Sequence, residues 1–108
     1  MPDLTEQKCV PCKGDMLPFT KAEAEIMLKQ VSGWELAEDG KSISKNYKFK
    51  NFKESLAFVN KMGGIAESEG HHPDIHLTDY RLVKVELSTH AIKGLSQNDF
   101  ILAAKIDA

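Results

Sequence analysis

Ile75-His76-Leu77-Thr78-Asp79-Tyr80-Arg81-Leu82-Val83-Lys84-Val85-Glu86-Leu87-Ser88-Thr89-His90 reads as a β-hairpin, and the rest of the chain can be organised around it. Val83, Val85 and Leu87 alternate with Lys84, Glu86 and Ser88. That period of two is what a strand with one buried and one wet face produces. The shorter arm, Ile75–Leu77, leads into a turn around Thr78-Asp79, and the return strand spans Arg81 to Thr89. By parity His90 falls on the polar side with Lys84, Glu86 and Ser88.

A similar unit lies upstream. Trp34-Glu35-Leu36 reads as a short strand, Asp39-Gly40 is a hairpin turn signal, and the return strand covers Ser42 to Phe49. Ile43, Tyr47 and Phe49 share one parity; Ser42, Ser44, Asn46 and Lys48 share the other. Thr20 with Glu23 forms a capping box that opens a helix carrying Ala24, Met27, Leu28 and Val31, stopped at Ser32-Gly33. Asn51 with Glu54 opens a second helix, whose predicted buried stripe is Phe52, Leu56, Val59, Met62 or Gly63, and Ala66. Gly63-Gly64 costs that helix about 1 kcal/mol per glycine against alanine. Close approach of another backbone or a subunit would justify the pair, and so would a slight kink. The helix should end near Gly70, because His72 precedes Pro73 and a residue before proline avoids the α region. Ser96 as N-cap with Asp99 at N3 opens a last helix with the stripe Phe100, Ala103, Ala104 and Ile106. The order α-β-β-α-β-β-α predicts an α+β fold: a four-stranded antiparallel sheet with helices packed on one face. Residues 1–19 form an extended lead-in and 20–108 a single domain.

Composition narrows the function. The chain has 108 residues, 42% hydrophobic and 28% charged, enough for one modest core. Fourteen basic against 16 acidic residues give a net charge of −2, a poor match to nucleic acid. No apolar run approaches the roughly 20 residues of a membrane span. Met1 to Lys13 is polar and has no apolar signal core, which predicts a cytoplasmic protein. Cys9 and Cys12 form a CxxC flanked by Pro11 and Gly14. A zinc site needs four ligands and no second cysteine pair exists, while a thioredoxin-type pair should open a helix after a strand. The simplest reading is a loosely held tail with two reduced thiols, and zinc completed by histidines is the alternative, which the spacing does not support.

All four histidines, His71, His72, His76 and His90, lie within 20 residues. Imidazole can take and give a proton near neutrality, so the cluster suggests acid–base chemistry or a metal. Adjacent His71 and His72 diverge on any regular backbone, and Pro73 breaks the helical spacing between His72 and His76 that would chelate. Acid–base work needs fewer coincidences: a helix end carrying His71, a proline-fixed turn carrying His72 and a strand end carrying His90 can converge. Glu67, one helical turn before His71, can share its face and orient its ring. The bland alternatives are a dipole-compensating His71 at a helix end, a purely capping Asp99 and an incidental His76.

Glu67-Ser68-Glu69-Gly70-His71-His72-Pro73, then Ser88-Thr89-His90, then Gly94-Leu95-Ser96-Gln97-Asn98-Asp99-Phe100 together resemble the pterin-4a-carbinolamine dehydratases. Gly33-Trp34, Tyr47-Lys48-Phe49 and Asn51-Phe52 extend the resemblance over about residues 20 to 107, and the Cys9-Val10-Pro11-Cys12 lead-in is similar to that of bacterial members. The resemblance implies dehydration of 4a-hydroxytetrahydropterin to quinonoid dihydropterin, with no metal and no cofactor. It implies that His71, His72 and His90 are the active-site histidines, with His71 and His90 exchanging protons and His72 positioning substrate. Glu67 and Asp99 would be supporting carboxylates, and Pro73, Ser88 and Thr89 would join His72 in binding substrate. It also implies a homodimer or homotetramer and an aromatic amino acid hydroxylase as a partner. Animal relatives additionally serve as dimerisation cofactors of a transcription factor, and a role in molybdopterin-related chemistry is a further alternative. The chain departs from animal members at Ile75-His76, where they carry an aromatic pair, and is one residue longer near Thr78-Asp79-Tyr80.

Overall fold

The computed structural model describes residues 4–9 and 17–108. Helix α1 spans Lys21–Leu28, α2 Phe52–Glu69 and α3 Gln97–Asp107; strands β1 Glu35–Leu36, β2 Ile43–Lys48, β3 Asp74–Thr78 and β4 Leu82–Leu87 form one antiparallel sheet in the order β1-β2-β4-β3. The alternation in the second hairpin holds, with Val83, Val85 and Leu87 all in the core. Register places Ile75 opposite Val85 and Leu77 opposite Val83 on one side, and Ile43 opposite Leu87 on the other. The β3–β4 turn covers residues 79–81, one residue later than expected. Asp79 and Tyr80 both take positive φ, 49° and 51°, a left-handed conformation that residues other than glycine adopt at a cost.

Helix α3 is the centre of the packing. Asn98 through Ala103 and Ile106 are all buried, so the helix is enclosed well beyond its predicted stripe. The reason is the lead-in, which is not wholly extended: a 3-10 turn at Leu4–Glu6 packs on α3 and puts Leu4 in the core. Cys9 is a free thiol, half-buried and tied by hydrogen bonds. Cys12, and with it the CxxC as a pair, lies outside the described residues.

The stripe of α2 needs correction. Phe52 and Leu56 are exposed, and the buried positions are Ser55, Met62 and Ala66. Ser55 turns inward because its hydroxyl donates to the Tyr80 carbonyl at 2.6 Å, satisfying the strained turn between β3 and β4. Among the described residues, nothing beyond the chain neighbours and the helix's own backbone lies within 4 Å of where a Cβ on Gly63 or Gly64 would be, so no close approach by another of these elements accounts for the pair.

A polar lock that the sequence does not announce fixes the end of α3. Asp107 accepts hydrogen bonds from Trp34 Nε1 at 2.9 Å, Lys45 Nζ at 2.9 Å and Tyr47 Oη at 2.6 Å. Burial works to raise the Asp107 carboxyl, but these donors outweigh it and hold the group below its ordinary value. Burial, and then the bond to Asp107, push the Tyr47 hydroxyl up, so it remains a donor. Glu69 is held low by its bond to Lys105 Nζ at 2.8 Å and by the Cys9 amide. A carboxylate with a depressed folded pKa contributes stability that is present above about pH 4 and lost as the pH falls through the folded value. The urea midpoint should therefore drop on acidification below pH 4, and Asp107→Asn should flatten that drop. A midpoint profile identical to wild type would count against the lock.

Candidate active site

Helix α2 ends in a left-handed cap at Gly70, φ 65°, whose N–H donates to Ala66 and Glu67 carbonyls, and the His71 N–H follows onto Ala66 O at 3.2 Å. The cap turns the chain sharply off the helix. His71 thereby leaves the Glu67 face and points its ring at the start of α3, where Nε2 meets Asp99 Oδ1 at 2.6 Å. His72, one residue on, takes Glu67 as its partner: Nε2 to Oε1 is 3.2 Å, with both groups exposed. The expectation that Glu67 orients His71 is thus corrected. Glu67 serves His72, and Asp99 orients His71.

Asp99 is fully buried, whereas the His71 side chain is 11% exposed, enough to reach a ligand from one edge. The reading of Asp99 as a cap is right but incomplete. Its Oδ2 accepts from the Ser96 N–H at 2.9 Å and from the Thr89 hydroxyl at 2.8 Å, leaving Oδ1 for His71. Thr89 has a single hydroxyl proton and spends it on Asp99, so in the 2.8 Å Thr89–Ser96 contact the Ser96 hydroxyl is the donor. With a carboxylate oxygen 2.6 Å away, Nε2 of His71 carries the ring proton and Nδ1 is the acceptor nitrogen of the neutral imidazole.

His90 is not on a strand. β4 yields at Leu87, Thr89 turns into the core, and His90 opens a 3-10 turn, His90–Ile92, pinched shut by the antiparallel bridge between Thr89 and Gly94. Gly94 is required there: a Cβ on it would lie 2.6 Å from Pro18 Cβ. The His90 ring is exposed and faces a cavity of about 350 Å³ that is also lined by Lys41, Glu86, Ser88, Thr89 and Lys93. His71 and His90 are therefore linked through one carboxylate, the first by its ring and the second by its neighbour Thr89. Thr89 itself is buried and its hydroxyl serves Asp99. Pro73 is partly buried in the turn leading to β3. His76 lies apart on the open sheet face, 3.6 Å from Glu86. Among the described residues no three His, Cys, Asp or Glu side chains converge to hold a metal ion.

Fold and site together define a class: a small α+β domain carrying an imidazole oriented by a buried carboxylate, with one further imidazole next to that histidine in the chain and another next to the threonine that bonds the carboxylate. The family model described as Pterin 4 alpha carbinolamine dehydratase matches residues 17–108, and the chain belongs to this family. A Halorhodospira halophila protein provisionally named as a pterin-4-alpha-carbinolamine dehydratase is 50% identical over 97% of this chain and 95% of its own length. The mitochondrial pterin-4-alpha-carbinolamine dehydratase 2 of Arabidopsis thaliana is 47% identical over 97% of this chain, which spans 58% of that longer protein. A crystal structure described as a transcriptional coactivator/pterin dehydratase from Brucella melitensis superposes with a TM-score of 0.77 at 29% identity, covering 83% of this chain and 95% of its own. Among the described residues, no helix is long and apolar enough to cross a membrane.

Proposed function

We propose that the chain dehydrates 4a-hydroxytetrahydropterin to the quinonoid dihydropterin by histidine acid–base catalysis. The observation that carries the reading is the 2.6 Å contact between His71 and the fully buried Asp99, in a chain of this family. The C4a–O bond breaks and hydroxide leaves as water with a proton from a general acid. The N5 proton passes to a general base, and its electron pair forms the new C=N bond. His71 is the base: Nδ1 takes the proton, and Asp99 stabilises the imidazolium that results. His90 gives its proton to the departing hydroxyl. Two positioned proton transfers contribute about 10²–10⁴-fold each. His72, braced by Glu67, binds the pterin together with Pro73 and Ser88, while Thr89 acts through Asp99. The reaction is proposed to recycle pterin for an aromatic amino acid hydroxylase, in the cytoplasm, by a homodimer or homotetramer.

The competing reading is a binding module, since the Brucella relative is described as a coactivator as well as a dehydratase. A buried, fully partnered carboxylate aimed at an accessible histidine favours catalysis, because a docking surface has no need of it. The deciding experiment follows decay of enzymatically generated 4a-hydroxytetrahydropterin with and without the purified chain. Acceleration proportional to protein concentration is expected, and decay at the spontaneous rate would refute the reading.

A further inference from the structure

The cysteine motif has no part in the chemistry above, yet Cys9 sits beside it. Its backbone N–H donates to Glu69 Oε1 at 2.8 Å, and its thiol donates to the Asn98 carbonyl at 3.6 Å. Glu69 is the last residue of α2, two before His71, and Asn98 immediately precedes Asp99. We propose that the N-terminal arm Leu4–Cys9, which lies outside the residues matched by the family model, positions His71 against Asp99 by stitching the end of α2 to the start of α3.

The arm is anchored independently of Cys9, by Leu4 in the core and by a 3.1 Å bond between the Gln97 and Gln7 side chains. Glu69 divides its two oxygens: Oε1 takes the arm, and Oε2 takes Lys105, two helical turns along α3 from Asn98. Without the arm, the Lys105 bond still holds the helices together. What is lost is the second point of attachment, which stops the α2 terminus from swivelling on its neighbour. Between that terminus and His71 there is only Gly70, the residue type with the least conformational restraint. Burial, and then the charge of Glu69, push the Cys9 thiol up to about 12, so at neutral pH it keeps the proton it donates to Asn98. A misplacement of about 1 Å at a reacting group can cost roughly 100-fold in rate.

Only the kinetic readout of this proposal rests on the dehydratase reading. The test compares wild type, Cys9→Pro, Cys9→Ser and a chain lacking residues 1–9. Proline removes the N–H that holds Glu69 and the thiol that holds Asn98, but leaves Leu4 in place. Serine keeps both donors. Each protein is checked for folding by urea titration, then for turnover and for the ¹⁵N resonances of the His71 ring. Cys9→Pro should lower kcat by about 10- to 100-fold with KM little changed. Its His71 resonances should move from one fixed tautomer towards an average of two, and Cys9→Ser should recover most of both readouts. A folded Cys9→Pro protein with wild-type kcat and wild-type His71 resonances overturns the proposal. If truncation unfolds the chain through loss of Leu4, the point variants decide. If the wild type shows no turnover, the functional reading fails, and the resonances still decide the positioning.

Discussion

Replacing Asp99 with asparagine lowers kcat by about 10²- to 10⁴-fold while the chain remains folded. The two effects separate because the carboxylate has two jobs. Its Oδ2 accepts from Ser96 N and Thr89 Oγ1, and the amide oxygen of asparagine can still accept from both. The other position becomes NH₂, which donates where Oδ1 accepted. His71 Nε2 must then turn acceptor, its proton moves to Nδ1, and the nitrogen facing the substrate can no longer take one. Nor is there a negative charge to stabilise the imidazolium. Asp99→Ala, by contrast, strands three buried or nearly buried donors at once. That variant should lose stability as well as activity, because each buried donor left unpaired costs about 1–3 kcal/mol. Urea titration separates the two variants, and stopped-flow decay of the carbinolamine reads turnover. Full activity in Asp99→Asn would remove His71 from the proton-transfer path.

The sheet was legible because its signals are local. Val83, Val85 and Leu87 alternate over six residues of β4, and Asp39-Gly40 supplies φ 72° at the glycine that the first hairpin turn needs. The site residues were legible by type, but their partners were not. Asp99 lies three residues after Ser96, so a cap explains it completely, and nothing in that spacing points to a histidine 28 positions away. Glu67 and His71 share a helical face only if the helix continues, and the left-handed turn at Gly70 ends it first. Thr89 and His90 read as the end of an alternating strand. The bridge between Thr89 and Gly94 overrides the alternation and folds the threonine under the site. Lys45 has core parity in β2 and reaches the Asp107 carboxylate, a pairing across 62 residues that no periodicity encodes.

His71→Ala and His90→Ala should each lower kcat by about 10²- to 10⁴-fold, and the double variant should be scarcely worse than either alone. Hydroxide departure removes the C4a–O pair, and proton loss from N5 releases the electron pair that forms the C4a=N5 bond in its place. An acid without its base leaves that pair tied up in the N5–H bond, and a base without its acid must expel hydroxide unassisted. Groups that act on one transition state as a unit are therefore non-additive. The structure makes the His90 arm the sharper test, since its ring is exposed and makes no hydrogen bond or ion pair among the described residues, whereas His71 is fixed by Asp99. If His90 donates the proton, His90→Gln should be as impaired as His90→Ala, because an amide can bond the leaving oxygen but cannot protonate it. Near-wild-type turnover in His90→Gln would hand the acid role to His72, whose ring is held by Glu67. In that case His72→Ala should show the missing loss.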